Sequence, residues 1–133
     1  MSETKTICPY CGTGCGLSVR IANGRITQVI PDPSHPVNEG ELCLKGYYGF
    51  AHVADRERLV TPLKREDQRF TPISWDAALD EIAKHLIRIK SESGPDAFEL
   101  FSSARATNEE NYIAQKFTRA VIGTNNVDHC ARL

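Results

Sequence analysis

Four cysteines constrain this chain more than any other feature. Cys8, Cys11 and Cys15 fall within eight residues and Cys43 follows at a distance, in the order Cys-x2-Cys-x3-Cys-x27-Cys. A segment that must turn three thiols toward one centre is a loop, and a second loop must return to supply the fourth. The spacing suits a cubane iron–sulfur cluster, in which each iron takes one thiolate. Structural zinc also takes four ligands, but ordinarily as two paired knuckles, which one triple and one single do not make. A disulfide framework fits less well, because the cysteine count is five. The first seven residues, Met-Ser-Glu-Thr-Lys-Thr-Ile, show no basic stretch followed by an apolar run and no twin arginine. A reducing cytoplasmic location is therefore expected, and there thiols favour metals over bridges. These observations point to electron transfer.

Glycines interleave with the cysteines at positions 12, 14 and 16. They are expected to take positive φ and to let backbone N–H groups face an anionic cluster as a nest, while Pro9 stiffens the loop. The chain has 133 residues, 41% hydrophobic and 25% charged, with a formal net charge of −1. That length suits one ordinary domain with a real core. Nothing in the balance suggests a nucleic-acid partner, and no apolar run approaches the length of a membrane span.

The first half reads as short strands and loops. Leu17, Val19 and Ile21 alternate with polar residues, Asn23-Gly24 follows, and residues 25–30 form a second run, together a hairpin signal. Residues 31–42, broken by Pro31, Pro33 and Pro36, read as a loop that presents Cys43. Tyr47, Tyr48 and Phe50 read as a hydrophobic cover, and the polar run 64–69 as a solvated turn. The second half changes period. Ser74 caps a helix with an apolar stripe through Trp75, Leu79, Ile82, Leu86 and Ile89, stopped at Gly94-Pro95. Residues 97–101 read as a strand, Thr107-x-x-Glu110 as a capping box, residues 111–122 as a second helix ending at Gly123, and residues 125–128 as the start of a further strand. The fold class is therefore α+β passing into α/β: a β-rich domain over 1–62, then over 63–133 the start of an incomplete α/β domain with a parallel sheet. Loops after parallel strands commonly carry ligands, which singles out 102–106. Cys130 is not a cluster ligand by spacing and reads as a buried free cysteine.

The cysteine set with Cys43-Leu-Lys45-Gly, together with Ser102-Ser-Ala-Arg105, Asn108-Glu-Glu-Asn-Tyr112 and Gly123-Thr-Asn-Asn-Val-Asp-His-Cys130-Ala-Arg132, resembles the N-terminal part of the molybdopterin oxidoreductases, formate dehydrogenase catalytic subunits in particular. The resemblance covers essentially the whole chain. It implies that Cys8, Cys11, Cys15 and Cys43 hold a 4Fe-4S cluster. It also implies that Lys45, otherwise read as a solvated loop lysine, supports electron passage between that cluster and a bis-molybdopterin guanine dinucleotide cofactor carrying molybdenum or tungsten. Arg105 is implied as a contact to a cofactor phosphate. The full-length protein would interconvert formate and CO2 and pass electrons to a partner subunit or a ferredoxin.

The same resemblance places a metal-ligating cysteine or selenocysteine, and then a catalytic histidine, directly after the Cys-Ala-Arg-Leu stretch that ends at Leu133. The expectation is a selenoprotein's front end cut at its selenocysteine codon, without formate dehydrogenase activity of its own. With the first cluster cysteine at position 8, no room is expected ahead of it for a further ferredoxin-like domain. Two alternatives stand beside this reading: a standalone iron–sulfur electron carrier, and the N-terminal part of a nitrate reductase-type molybdoenzyme.

Overall fold

The computed structural model describes residues 2–55 and 57–130. The chain packs as two compact units that interleave in sequence. One is Met1–Arg58 with Ser102–Ile113 and His129–Leu133; the other is Leu59–Phe101 with Ala114–Asp128.

The first unit is built on a three-stranded antiparallel sheet in the order β1 (Ser2–Ile7), β2 (Gly16–Ala22), β3 (Arg25–Pro31). Strands β2 and β3 form the expected hairpin. Asn23 and Gly24 both have positive φ, 51° and 72°, as a type I′ turn requires. Strand β1 has no signature in the sequence: its residues are all exposed and all but Ile7 polar, and backbone pairing to β2 makes it a strand. The core lies on β2, where Leu17 and Val19 are buried together with Cys8, and Tyr10, Ile21, Ile26, Val29, Leu42 and Phe50 pack around them. A short helix, α1 (Leu44–Tyr48), and a 3-10 turn (Gly49–Ala54) follow the 31–42 loop. The aromatic cover is partial: Phe50 packs edge-on against Tyr10 with centroids 5.8 Å apart, while Tyr48 is 73% exposed.

Asp32 anchors the start of that loop. It pairs with Lys5 at 2.7 Å and accepts from the Ser34 N–H and hydroxyl. These donors, Lys5 foremost, hold its carboxyl well below the usual carboxylate range. A carboxylate whose folded pKa is depressed contributes stability above its unfolded value, about 3.9, and loses it as pH falls through the folded value. The anchor is thus expected to be intact at neutral pH and to fail progressively below about pH 4. Acid unfolding of Asp32→Asn should be shallower there than that of the parent; identical profiles would refute the assignment.

In the second unit the polar run expected to be a solvated turn is a hairpin, β4 (Leu63–Glu66) paired antiparallel with β5 (Arg69–Pro72). A largely exposed ribbon carries no apolar alternation, and its sequence therefore does not read as strands. Helix α2 (Trp75–Ser93) starts as expected, with the Ser74 hydroxyl accepting the Ala77 N–H at 3.1 Å, and stops at Gly94, φ 81°. No residue of α2 is buried. The expected strand 97–101 is displaced: Pro95–Ala97 form a 3-10 turn, and the strand is β6 (Leu100–Ser102).

Helix α3 (Asn108–Phe117) begins earlier than expected. The capping box sets that start, because the Glu110 N–H reaches the Thr107 hydroxyl at 3.2 Å while the Glu110 carboxylate accepts the Thr107 N–H at 2.7 Å, which makes Asn108 the first helical residue. The helix widens into a π-turn over Thr118–Ile122, where the Thr118 hydroxyl bonds the Ala114 carbonyl, and Gly123 ends it with φ 94°. Strand β7 (Val127–His129) then lies beside β6 as the opening parallel pair of an α/β sheet.

Candidate iron–sulfur site

The cysteine loop is the connection between β1 and β2. Cys8 follows Ile7, Cys15 precedes Gly16, and the Cys8 N–H donates to the Cys15 carbonyl at 2.9 Å, which closes the loop at its neck. Cys43 is the residue before α1, in extended conformation. All four cysteines line one cavity of about 420 Å³, together with Lys45 and Arg105. Every residue singled out in the sequence for cluster or cofactor binding therefore faces a single space. Burial falls around it: Cys8 is buried, Cys11 and Cys15 are half-buried, and Cys43 is exposed.

Burial pushes the Cys8 thiol up, and the neighbouring Cys11 and Cys43 add to this, although the Tyr10 N–H partly offsets them. Cys15 is raised in the same way, by burial and then by Cys8, Cys11 and Cys43. Thiols close enough to oppose the ionisation of Cys8 and Cys15 form a donor set that binding to iron relieves, since iron takes the thiolate form. Among the described residues no three His, Cys, Asp or Glu side chains converge on a single metal ion. The four sulfurs surround a volume instead, and that arrangement fits a four-iron cluster.

Of the loop's glycines Gly16 is required for space, and Gly12 stands close to a side chain that can move. Only Gly14 has positive φ, 74°. A Cβ at Gly12 would stand 2.7 Å from the Asn108 Oδ1, and one at Gly16 would stand 2.7 Å from the His35 Cβ. The Gly16 N–H, expected to face the cluster, donates instead to the Asn38 Oδ1 at 2.7 Å. Asn108 at the start of α3 donates from Nδ2 to the Gly12 carbonyl at 2.9 Å. Tyr10, between two of the cysteines, donates its hydroxyl to the Gly49 carbonyl just beyond α1. Tyr10, His35, Asn38 and Asn108 are thus supporting residues that the sequence did not reveal. Asn108 carried a signal as the first residue of the Asn108-Glu-Glu-Asn-Tyr112 stretch, and Asn38 stands two residues before Gly40 in a turn where Glu39 and Gly40 both have positive φ, 47° and 87°.

Lys45 sits on α1, and Arg105 on the 103–107 loop, where its N–H donates to the Ser103 hydroxyl at 3.0 Å. Asn111 holds that loop by donating to the Ser103 carbonyl at 3.0 Å. Cys130 was expected to be buried and is exposed. It follows a three-residue strand that covers little, and its thiol, 3.6 Å from the Ser103 hydroxyl, is pulled down by the Ala104 N–H, by Ser103 and by Arg105. The expectation for the position following Leu133 rests on residues 131–133, which lie outside the described residues.

Residues 1–55 match the family of molybdopterin oxidoreductase Fe4S4 domains, and residues 58–133 match the molybdopterin oxidoreductases. The F420-dependent formate dehydrogenase subunit alpha of Methanocaldococcus jannaschii is 48% identical over 128 residues, covering 96% of this chain and 18% of the relative. The F420-dependent formate dehydrogenase 1 subunit alpha of Methanococcus maripaludis is 50% identical over 128 residues, with the same coverage of each. A putative formate dehydrogenase of Staphylococcus aureus is 44% identical over 132 residues, covering 99% of this chain and 13% of that protein. Among solved structures, acetylene hydratase from Pelobacter acetylenicus superimposes with a TM-score of 0.71 at 27% identity, covering 94% of this chain and 18% of that one. The chain spans 13% to 18% of the length of these curated relatives.

Proposed function

Since the chain belongs to the molybdopterin oxidoreductase family, we propose that it is the iron–sulfur portion of a formate dehydrogenase, the part that relays electrons between a bis-molybdopterin guanine dinucleotide centre and an external acceptor. The observation that carries this reading is the single cavity onto which Cys8, Cys11, Cys15, Cys43, Lys45 and Arg105 all open. When bound there, a 4Fe-4S cluster supplies one-electron chemistry at a potential set by its surroundings. The chain's own contribution is to hold four thiolates and to exclude water on the side of Cys8, where the core packs. Lys45 places a cation at the cavity wall and serves electron passage toward the pterin. Arg105 offers a planar fork suited to a cofactor phosphate.

Formate and CO2 are the proposed substrates of the full-length protein, with molybdenum or tungsten at its centre and a partner subunit or ferredoxin as acceptor. The relatives' names favour formate over nitrate. Among the described residues no helix is long and apolar enough to cross a membrane. A cytoplasmic setting suits five cysteines that form no disulfide. The sequence division at 62/63 is retained as the proposed domain boundary, although the compact units interleave across it.

Anaerobic reconstitution with iron and sulfide tests the site. The chain should take up four irons and four sulfides, and Cys8→Ala, Cys11→Ala, Cys15→Ala or Cys43→Ala should each fail to hold the four-iron form. Formate-dependent dye reduction by the chain alone should be absent. Uptake of zinc with no chromophore would overturn the reading.

A further inference from the structure

The Asn38 side chain makes three hydrogen bonds, and together they join the two segments that carry the cysteines. Its Oδ1 accepts the Gly16 N–H at 2.7 Å, and its Nδ2 donates to the Gly16 carbonyl at 3.1 Å and to the Glu41 carbonyl at 2.8 Å. Gly16 is bonded directly to Cys15, and Glu41 lies two residues before Cys43. The amide orientation is fixed by its partners, because one is an N–H and two are carbonyls, and the flipped amide would satisfy none of them. The Glu41 N–H returns to the Asn38 carbonyl at 2.7 Å, so the turn that leads into Cys43 is tied to Asn38 at both its backbone and its side chain. Asn38 itself is held in a turn with the Glu39 N–H on the His35 carbonyl at 2.9 Å.

Cys43 is also the exposed member of the set. Unlike Cys8 and Cys15, it has no place in the buried apolar cluster that fixes their positions. Leu42 packs against that cluster from the residue before it, and polar ties at the other end of the segment keep the Cys43 thiol in register with the other three. We propose that Asn38 is a positioning residue for the cluster: it sets the spacing between Cys15 and Cys43, and so holds the iron corner bound by Cys43. This rests on the iron–sulfur reading above. Residues that orient metal ligands typically change metal retention about 10- to 100-fold when removed. Asn38 is expected to act chiefly on the Cys43 corner, because Cys15 is also held by the Cys8 N–H on its carbonyl and by packing against the core.

The test compares reconstituted parent, Asn38→Ala, Asn38→Asp and Cys43→Ala chains. Aspartate keeps the acceptor for the Gly16 N–H and sets a carboxylate oxygen against the two carbonyls, so it isolates the donor bonds. On mild oxidation the parent should keep four irons. Both Asn38 variants should shed one iron about 10- to 100-fold faster and give the electron paramagnetic resonance signal of a three-iron cluster, matching that of Cys43→Ala. The three-iron signal also shows that the Cys8–Cys15 loop has formed. Parent-like retention in both variants overturns the proposal. So does loss of all iron together with the circular-dichroism signal of the sheet, which would make Asn38 a folding residue. Failure of the parent itself to take up a cluster would instead overturn the iron–sulfur reading.

Discussion

Gly16→Ala is expected to prevent assembly of a four-iron cluster and to destabilise the first unit at the same time. Gly16 is buried at the junction of the cysteine loop and β2, paired with Ile7. Both of its backbone groups are in use: the N–H with Asn38, and the carbonyl with the Asp32 N–H at 3.1 Å and with Asn38. An added methyl would stand 2.7 Å from the Cβ of His35, an atom fixed by its own backbone and unable to rotate away. Overpacking of this kind costs about 1–3 kcal/mol. Relief requires the strand or the 31–42 loop to move, and either displaces a cysteine. Gly12→Ala is the matched control. Its methyl would stand 2.7 Å from the Asn108 Oδ1, the end of a side chain that can turn aside. Iron content after reconstitution should fall to near zero for Gly16→Ala and stay near the parent's for Gly12→Ala. A fully loaded Gly16→Ala chain would refute the argument.

Leu17→Ala should produce the largest loss of stability of any apolar substitution in the first unit. Leu17 is 0% exposed and lies on the central strand of the sheet, in one cluster with Cys8 and Val19. Truncating a buried leucine typically costs about 2–5 kcal/mol, depending on how far the surroundings close over the cavity. Small domains hold only about 5–15 kcal/mol in total. The midpoint of urea unfolding should therefore fall sharply with the slope unchanged. Because Cys8 belongs to the same cluster, cluster retention should weaken in parallel. A loss below about 1 kcal/mol would show that the sheet does not close around Leu17 as described.

What the sequence revealed, and what it hid, follows from where each signal is written. The hairpin of β2 and β3 was legible because alternation and an Asn-Gly turn are local, and the caps at Ser74, Thr107 and Gly123 were legible for the same reason. Strand β1 and the β4–β5 ribbon were not legible, because their pairing rests on backbone bonds that polar, exposed side chains do not advertise. The cavity-lining set was legible from cysteine spacing and from resemblance. The residues that hold it in place were not: Asn38, His35 and Asn108 act through contacts to glycines, and the glycines read as flexible when Gly16 is needed for its small size. Cys130 was misplaced because a cysteine's usual burial was assumed on a strand that proved to be three residues long.

The bond from Asn108 to the Gly12 carbonyl spans 96 residues of sequence. The cysteine loop leaves the ribosome well before Asn108, which supplies its outer tie. At about 5–20 residues per second, roughly 5–20 s of synthesis separate the two. Throughout that interval the loop is held at its neck and, once residue 49 is made, by the Tyr10 hydroxyl on the Gly49 carbonyl, but not yet by Asn108. Assembly and locking are thereby ordered in time: the start of α3 arrives as a latch after the thiols are already on display.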